Sequence, residues 1–183
     1  MKGFYASIRS SVNELKNILS LAVSGVLTAL NIILNFFTVS VSNLLQFSFS
    51  FLAIAAAGML YGPVVGGLVG VLGDILGNIL FPTGPFFVGF TFNAFLTGFV
   101  YGLFLYKKPV TLWRVLVANG ILVLLINFLL NPLWLSIMYG RAFVVVLSTR
   151  LISTLFLFPI HVAMLYFILK FIQKVQVLVL KKA

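Results

Sequence analysis

Residues 62 to 78 read GPVVGGLVGVLGDILGN, six glycines and an aspartate set in an otherwise apolar run. In water such a segment would make a poor helix, because each interior glycine costs about 1 kcal/mol relative to alanine. In hydrocarbon the balance changes. Every backbone N–H and C=O must be bonded within the segment, so a helix forms regardless, and small residues let neighbouring backbones approach closely. Gly62, Gly66 and Gly70 recur at a spacing of four, Asp74 and Asn78 continue the same ridge, and Gly73 and Gly77 lie beside it. The stretch reads as a transmembrane helix whose glycines bring other helices close and turn Asp74 toward them. Facing lipid, an aspartate at mid-bilayer would cost roughly 2.5 to 3.5 kcal/mol.

The rest of the 183 residues agrees with a membrane setting. The chain is 62% hydrophobic and 8% charged, whereas roughly a quarter of the residues of a soluble domain are charged. Its net charge of +10 could suggest nucleic acid, but the basic residues flank apolar runs and form no single cluster, which is the pattern of membrane topology. Cysteine is absent, which excludes disulfides, thiolate metal sites and cysteine nucleophiles. There is no G-x-x-x-x-G-K-[ST] phosphate loop and no H-E-x-x-H. The two acids stand at positions 14 and 74, and there is one histidine, His161, beside Pro159. ATP hydrolysis by this chain and acid–base catalysis are therefore not expected, nor is a metal or cofactor.

A crossing helix needs about 20 residues, and apolar runs of that order lie near 18–37, 45–61, 63–81, 87–106, 112–135 and 150–171. The expected fold is an all-α integral membrane protein, a six-transmembrane-helix bundle forming one domain over residues 1–183. The first run is long and lacks a small-residue cleavage pattern, so it is expected to be an uncleaved span. Ten of the twelve basic residues fall in three groups: Lys2, Arg9 and Lys16; Lys107, Lys108 and Arg114; and Lys170, Lys174, Lys181 and Lys182. With an even number of spans all three share one face, cytoplasmic by the positive-inside rule, and both termini lie there. Phe4, Ile8, Val12 and Leu15 recur at helical spacing, so the N-terminal segment is expected to lie along the inner membrane surface.

Arg141 and Arg150 map to the outer side, against the bias of the other ten, and such cations suit an anion. The larger polar side chains crowd the same side: Asn31, Asn35, Gln46, Asp74, Asn78, Asn93, Asn127 and Asn131, with Asn119 and His161 deeper. Singly, each could be interhelical glue worth about 0.6 to 2 kcal/mol. Together they predict an outward-opening polar pocket. Phe86, Phe87, Phe90, Phe92, Trp134 and Tyr139 lie at the same depth, where aromatic belts also form. Aromatic faces, amides, one acid and two arginines suit a planar, hydrogen-bonding heterocycle that carries anionic groups.

The segment LYGPVVGGLVGVLGDILGNILFPTGPFFVGFTFNAFLTGFVYGL resembles the middle of the substrate-binding S components of energy-coupling factor (ECF) vitamin transporters, and NPLWLSIMYGRAFVVVLSTRLI is similar to their folate-specific branch. The two cover about a third of the chain. Two positions depart from the pattern: Pro132 stands where a polar residue is expected after Asn131, and Arg141 where lysine is usual.

The resemblance implies a receptor in a bacterial plasma membrane that docks on a transmembrane coupling protein driven by two cytosolic ATPases. Docking would use small residues of the first span, Gly25 and Ala29 with Ala22 nearby, against a competing register of Ser24 and Thr28. With folate as ligand, the pterin would stack among Trp134, Tyr139 and the Phe86 to Phe92 aromatics. Asn35, Asn93 and Asn127, with Asp74 and with Gln46 at the start of the second run, would line its edge, and Arg150 and Arg141 would meet its carboxylates. The alternatives are another vitamin (thiamine, riboflavin or a pyrimidine precursor) and, from a different class, a self-sufficient secondary carrier.

Overall fold

The computed structural model describes residues 2–37, 39–42, 45–82, 85–140 and 142–180. An N-terminal helix α1 (Lys2–Glu14) precedes α2 (Ile18–Phe36), a hairpin of β1 (Val39–Ser42) and β2 (Leu45–Phe47), α3 (Ser50–Tyr61), α4 (Pro63–Leu80) and α5 (Val88–Leu105). α6 (Leu112–Leu122) runs through a widened π-helical stretch, Val123–Leu130, into α7 (Asn131–Tyr139), and α8 (Phe143–Leu180) ends the chain. Among the described residues, five segments are long and apolar enough to span a bilayer: α2, α4, α5, the α6–α7 run and Thr154–Leu178 of α8.

Three of the expected spans need correction. The second does not run as a helix from 45 to 61, because residues 45–47 form a strand and the helix has only 12 residues. The strand pairs Val39 with Phe47 and Ser40 with Gln46 in antiparallel register. The reason lies in VSVS, residues 39–42: its alternation and β-branched valines have the period of a strand. The fifth span extends past 135 to Tyr139, where Gly140 at φ 62° ends it in the left-handed conformation. The sixth begins at Phe143 and continues to Leu180 with Pro159 inside it. A valine-rich start is no obstacle to a helix where the backbone has no water to bond.

The π-helical stretch has a local cause. The amide of Asn131 bonds to the carbonyl of Ile126, five residues back. The next residue, Pro132, has no N–H to give, and its ring would press on the carbonyl four residues earlier. Widening the turn relieves both problems.

The glycines of 62–78 meet other glycines. α3 is buried from Leu52 through Met59 and lies against α2, α4, α5 and α8. α4 and α5 share the most extensive interface. A Cβ on Gly66 would stand 2.7 Å from the Cα of Gly58 and 2.8 Å from the carbonyl oxygen of Gly98. One on Gly58 would stand 2.8 Å from the amide of Gly102. Three helices therefore touch backbone to backbone, and dispersion between closely packed atoms holds them.

At the opposite end of α4, α1 closes the turn at Gly62, whose φ is 91°. Ser11, fully buried, accepts from the amides of Val64 (3.1 Å) and Val65 (3.2 Å) and donates to the carbonyl of Tyr61 (2.8 Å). It thus satisfies two of the orphan donors that begin any helix, from a separate segment of the chain. Glu14 accepts from Ser20 (2.7 Å) and Tyr106 (3.2 Å), and Lys107 donates to Ser10 (2.7 Å). Of the apolar residues singled out in α1 and just after it, Phe4 and Val12 are exposed, and Leu15 packs against the small cluster of Ala57, Val65 and Val69.

Candidate ligand-binding site

The polar side chains gather at the end of the bundle that carries the hairpin. α2 turns Ser20, Ser24, Thr28 and Asn31 inward, an amphipathic face that is polar inside because it meets other polar groups. Asn31 donates to the carbonyl of Ser50 (3.0 Å) and its Oδ1 lies against Gly73, where a Cβ would collide with it. One turn on, Asn35 accepts from the hydroxyl of Ser48 (3.2 Å), which itself accepts from the Ser50 amide (3.2 Å). α2, the hairpin exit, α3 and α4 are thereby tied at one level.

Asp74 follows Gly73 on α4. Its Oδ2 accepts from Thr91 Oγ1 of α5 at 2.6 Å, a short, charge-assisted bond. The acid is therefore engaged with its neighbour helix, as the glycine ridge required.

Two residues further along α5, Asn93 is buried and faces α7. The indole N–H of Trp134 donates to Asn93 Oδ1 (3.2 Å), Asn93 Nδ2 donates to Asn131 Oδ1 (2.8 Å), and Asn131 Nδ2 donates to Asn127 Oδ1 (3.3 Å). The indole also meets Phe87, with ring centroids 5.6 Å apart at 52°, and Phe87 meets Phe90 edge-on at 6.0 Å. Gly89 is placed under it, since a Cβ there would stand 2.7 Å from Trp134 Cδ2. An aromatic floor and an amide chain are thus built from the same two helices.

Arg150 lies near the start of α8, with its Nε buried and without a hydrogen-bond partner among the described residues. A buried guanidinium nitrogen left open this way is suited to an incoming oxyanion.

Of the residues anticipated for the site, Asn93 and Trp134 are joined directly and Asn127 through Asn131, and Asp74 and Asn35 are held at the same end. Phe92 faces outward, 49% exposed, and Tyr139 is 54% exposed at the end of α7. Gln46 lies in β2 opposite Ser40, and Arg141 lies outside the described residues. Thr91, Ser48 and Ser50 were not anticipated, because a serine or threonine in a helical run most often bonds its own backbone. Asn131, grouped with the others by depth alone, is the link that connects them.

On α2, Ala22, Gly25 and Ala29 are exposed, and a Cβ on Gly25 would meet nothing within 4 Å. The competing pair is occupied: Ser24 donates to the Ser20 carbonyl (2.6 Å) and Thr28 to the Ser24 carbonyl (2.9 Å), both buried.

Residues 19–178 match the family described as "ECF transporter, substrate-specific component". The folate transporter FolT of Clostridium novyi (strain NT) is 35% identical over 135 residues, covering 74% of this chain and 78% of that protein. The folate transporter FolT of Leuconostoc mesenteroides subsp. mesenteroides is 38% identical over 151 residues, covering 79% and 81%. Among solved structures, the crystal structure of FolT bound with folic acid superposes with a TM-score of 0.76 at 41% identity, covering 81% of this chain and 93% of that one. Family match, sequence identity and fold thus agree, and the chain belongs to the family of substrate-specific components of ECF transporters.

Proposed function

We infer that this protein is the folate-binding subunit of an ECF transporter. The observation that carries the reading is the convergence at one end of the bundle of an aromatic floor, an amide chain and a buried arginine, in a chain whose structural neighbour was solved with folic acid. The pterin ring is placed against Trp134 and Phe87, and its edge meets the amides at Asn93, Asn127 and Asn35, with Asp74 and Gln46 near the rim. Arg150, helped by Arg141, takes the glutamate carboxylates, each charge-assisted bond contributing roughly 1.5 to 3 kcal/mol.

The chain crosses a bacterial plasma membrane six times with both termini in the cytoplasm. The five long helices supply five crossings. α3 supplies the sixth within the protein, since it is apolar on all sides and walled in by α2, α4, α5 and α8. The charge bias of the loops supports this orientation. Energy comes from a coupling protein and two cytosolic ATPases, consistent with the missing phosphate loop, and docking uses the exposed small residues Ala22, Gly25 and Ala29. The subunit carries out no chemistry of its own and holds no cofactor.

A ligand panel tests the reading. Quenching of tryptophan fluorescence in the purified protein is expected to report tight binding of folic acid and none of thiamine or riboflavin, whereas tighter binding of either of the latter sinks the assignment. Uptake by proteoliposomes containing this chain alone would establish a secondary carrier instead. Replacing Gly25 with leucine should abolish transport by the full complex while leaving folate affinity within about twofold, because nothing in the fold fills that space.

A further inference from the structure

The amide chain has a direction, and one residue sets it. An asparagine side chain can present either its oxygen or its NH2 group, so a row of asparagines by itself has two equivalent hydrogen-bonded arrangements of opposite polarity. An indole has only a donor. Because Trp134 Nε1 reaches Asn93 at 3.2 Å, that contact requires the oxygen of Asn93. Its Nδ2 must then face Asn131, at 2.8 Å, and the Nδ2 of Asn131 must face Asn127, at 3.3 Å. The sequence of donors ends on the Nδ2 of Asn127, which has no partner among the described residues.

We propose that Trp134 is a positioning residue that fixes the polarity of the Asn93–Asn131–Asn127 chain, so that the pocket presents an N–H donor at Asn127 and selects a ligand edge that carries an acceptor. The proposal rests on the folate reading and specifies the edge: the 4-oxo oxygen of the pterin meets Asn127. An analogue with a 4-amino group presents a donor there, opposes the amide, and is rejected as a site built for one hydrogen-bond pattern rejects the other. The selectivity is thus set by Trp134 and relayed through two intervening residues, Asn93 and Asn131, to the donor that exerts it, Asn131 and Asn127 being four apart on one helical face.

Two substitutions separate this from a packing role. Trp134→Phe keeps a ring against Phe87 but removes the N–H, freeing the amides to turn over. Asn93→Asp replaces the first amide with an acceptor on both oxygens, which forces Asn131 and then Asn127 to reverse and point Oδ1 at the ligand. Affinities for folic acid and for its 2,4-diamino analogue are measured by calorimetry. The unsubstituted protein is expected to favour folic acid by about tenfold or more. That ratio should fall to about threefold or less in Trp134→Phe and invert in Asn93→Asp; because the readout is a ratio, any loss of stacking common to both compounds cancels. A purely structural tryptophan would weaken both compounds equally and leave the ratio unmoved, and that result, or an equal ratio in the unsubstituted protein, overturns the proposal while folate binding stands. Binding of neither compound by the unsubstituted protein overturns the folate reading and the proposal together.

Discussion

The two ends of the bundle are built from similar side chains and differ in what those side chains leave open. At the α1 end, Ser11 meets three backbone groups, Glu14 takes two hydroxyls and Ser10 takes Lys107. These groups are used up in holding the α1 segment to α2, to the turn between α3 and α4 and to the end of α5. At the hairpin end, the bonds run in a line and stop, at Asn127 Nδ2 and at Arg150 Nε. A closed polar network holds helices together, whereas the buried Nε of Arg150, without a partner among the described residues, is a donor of the kind that costs about 1 to 3 kcal/mol until something accepts from it.

The largest test of this contrast lies between the two ends. Gly66→Leu would drive a side chain into Gly58 and the carbonyl of Gly98, and no adjacent side chain can move aside because the obstacle is backbone. A destabilisation above ~4 kcal/mol is expected, read as loss of the monodisperse peak in detergent. Recovery of a normal peak would mean that the three helices are not seated on their glycines.

Next in size is Arg150→Ala. Folate affinity should drop by about 10- to 100-fold, with little change in melting temperature, since Nε contributes no bond to the empty fold. Affinity that survives unchanged would place the anion elsewhere and remove half of the comparison.

Ser11→Ala is the smallest. Two helix-initiating amides lose their acceptor, which should lower stability by about 1 to 2 kcal/mol, while folate affinity stays within about twofold. Weakened binding with unchanged melting temperature would show that the α1 end takes part in recognition after all.

Much of the fold was legible in the chain, for reasons that can be named. The α4 ridge declared itself because glycine in hydrocarbon has one main use, and its spacing of four is the helix repeat. The common depth of Asn35, Asp74, Asn93 and Asn127 followed from counting along the spans. Which of them would meet did not. Asn93 and Asn131 are 38 residues apart, and the π-helical stretch that leads into Asn131 has its cause in Pro132, which registered in the sequence only as a departure from a family pattern. The hairpin was passed over because VSVS is polar enough to resemble a loop. The early start of α8 was missed for a related reason: Arg141 and a run of valines beside it look like a connection when no water-free environment is assumed. Thr91 gave no signal, since its hydroxyl acquires meaning only once Asp74 stands across from it.

The brevity of α3 has a geometric consequence. Twelve residues reach about 18 Å, roughly 12 Å less than the hydrocarbon thickness of a bilayer. At one end of α3 the chain arrives from the strand β2, and at the other the turn at Gly62 leads straight into α4. Under the proposed function, a ligand bound at the hairpin end of α3 would sit below the membrane surface by as much as that shortfall, more than a third of the hydrocarbon thickness.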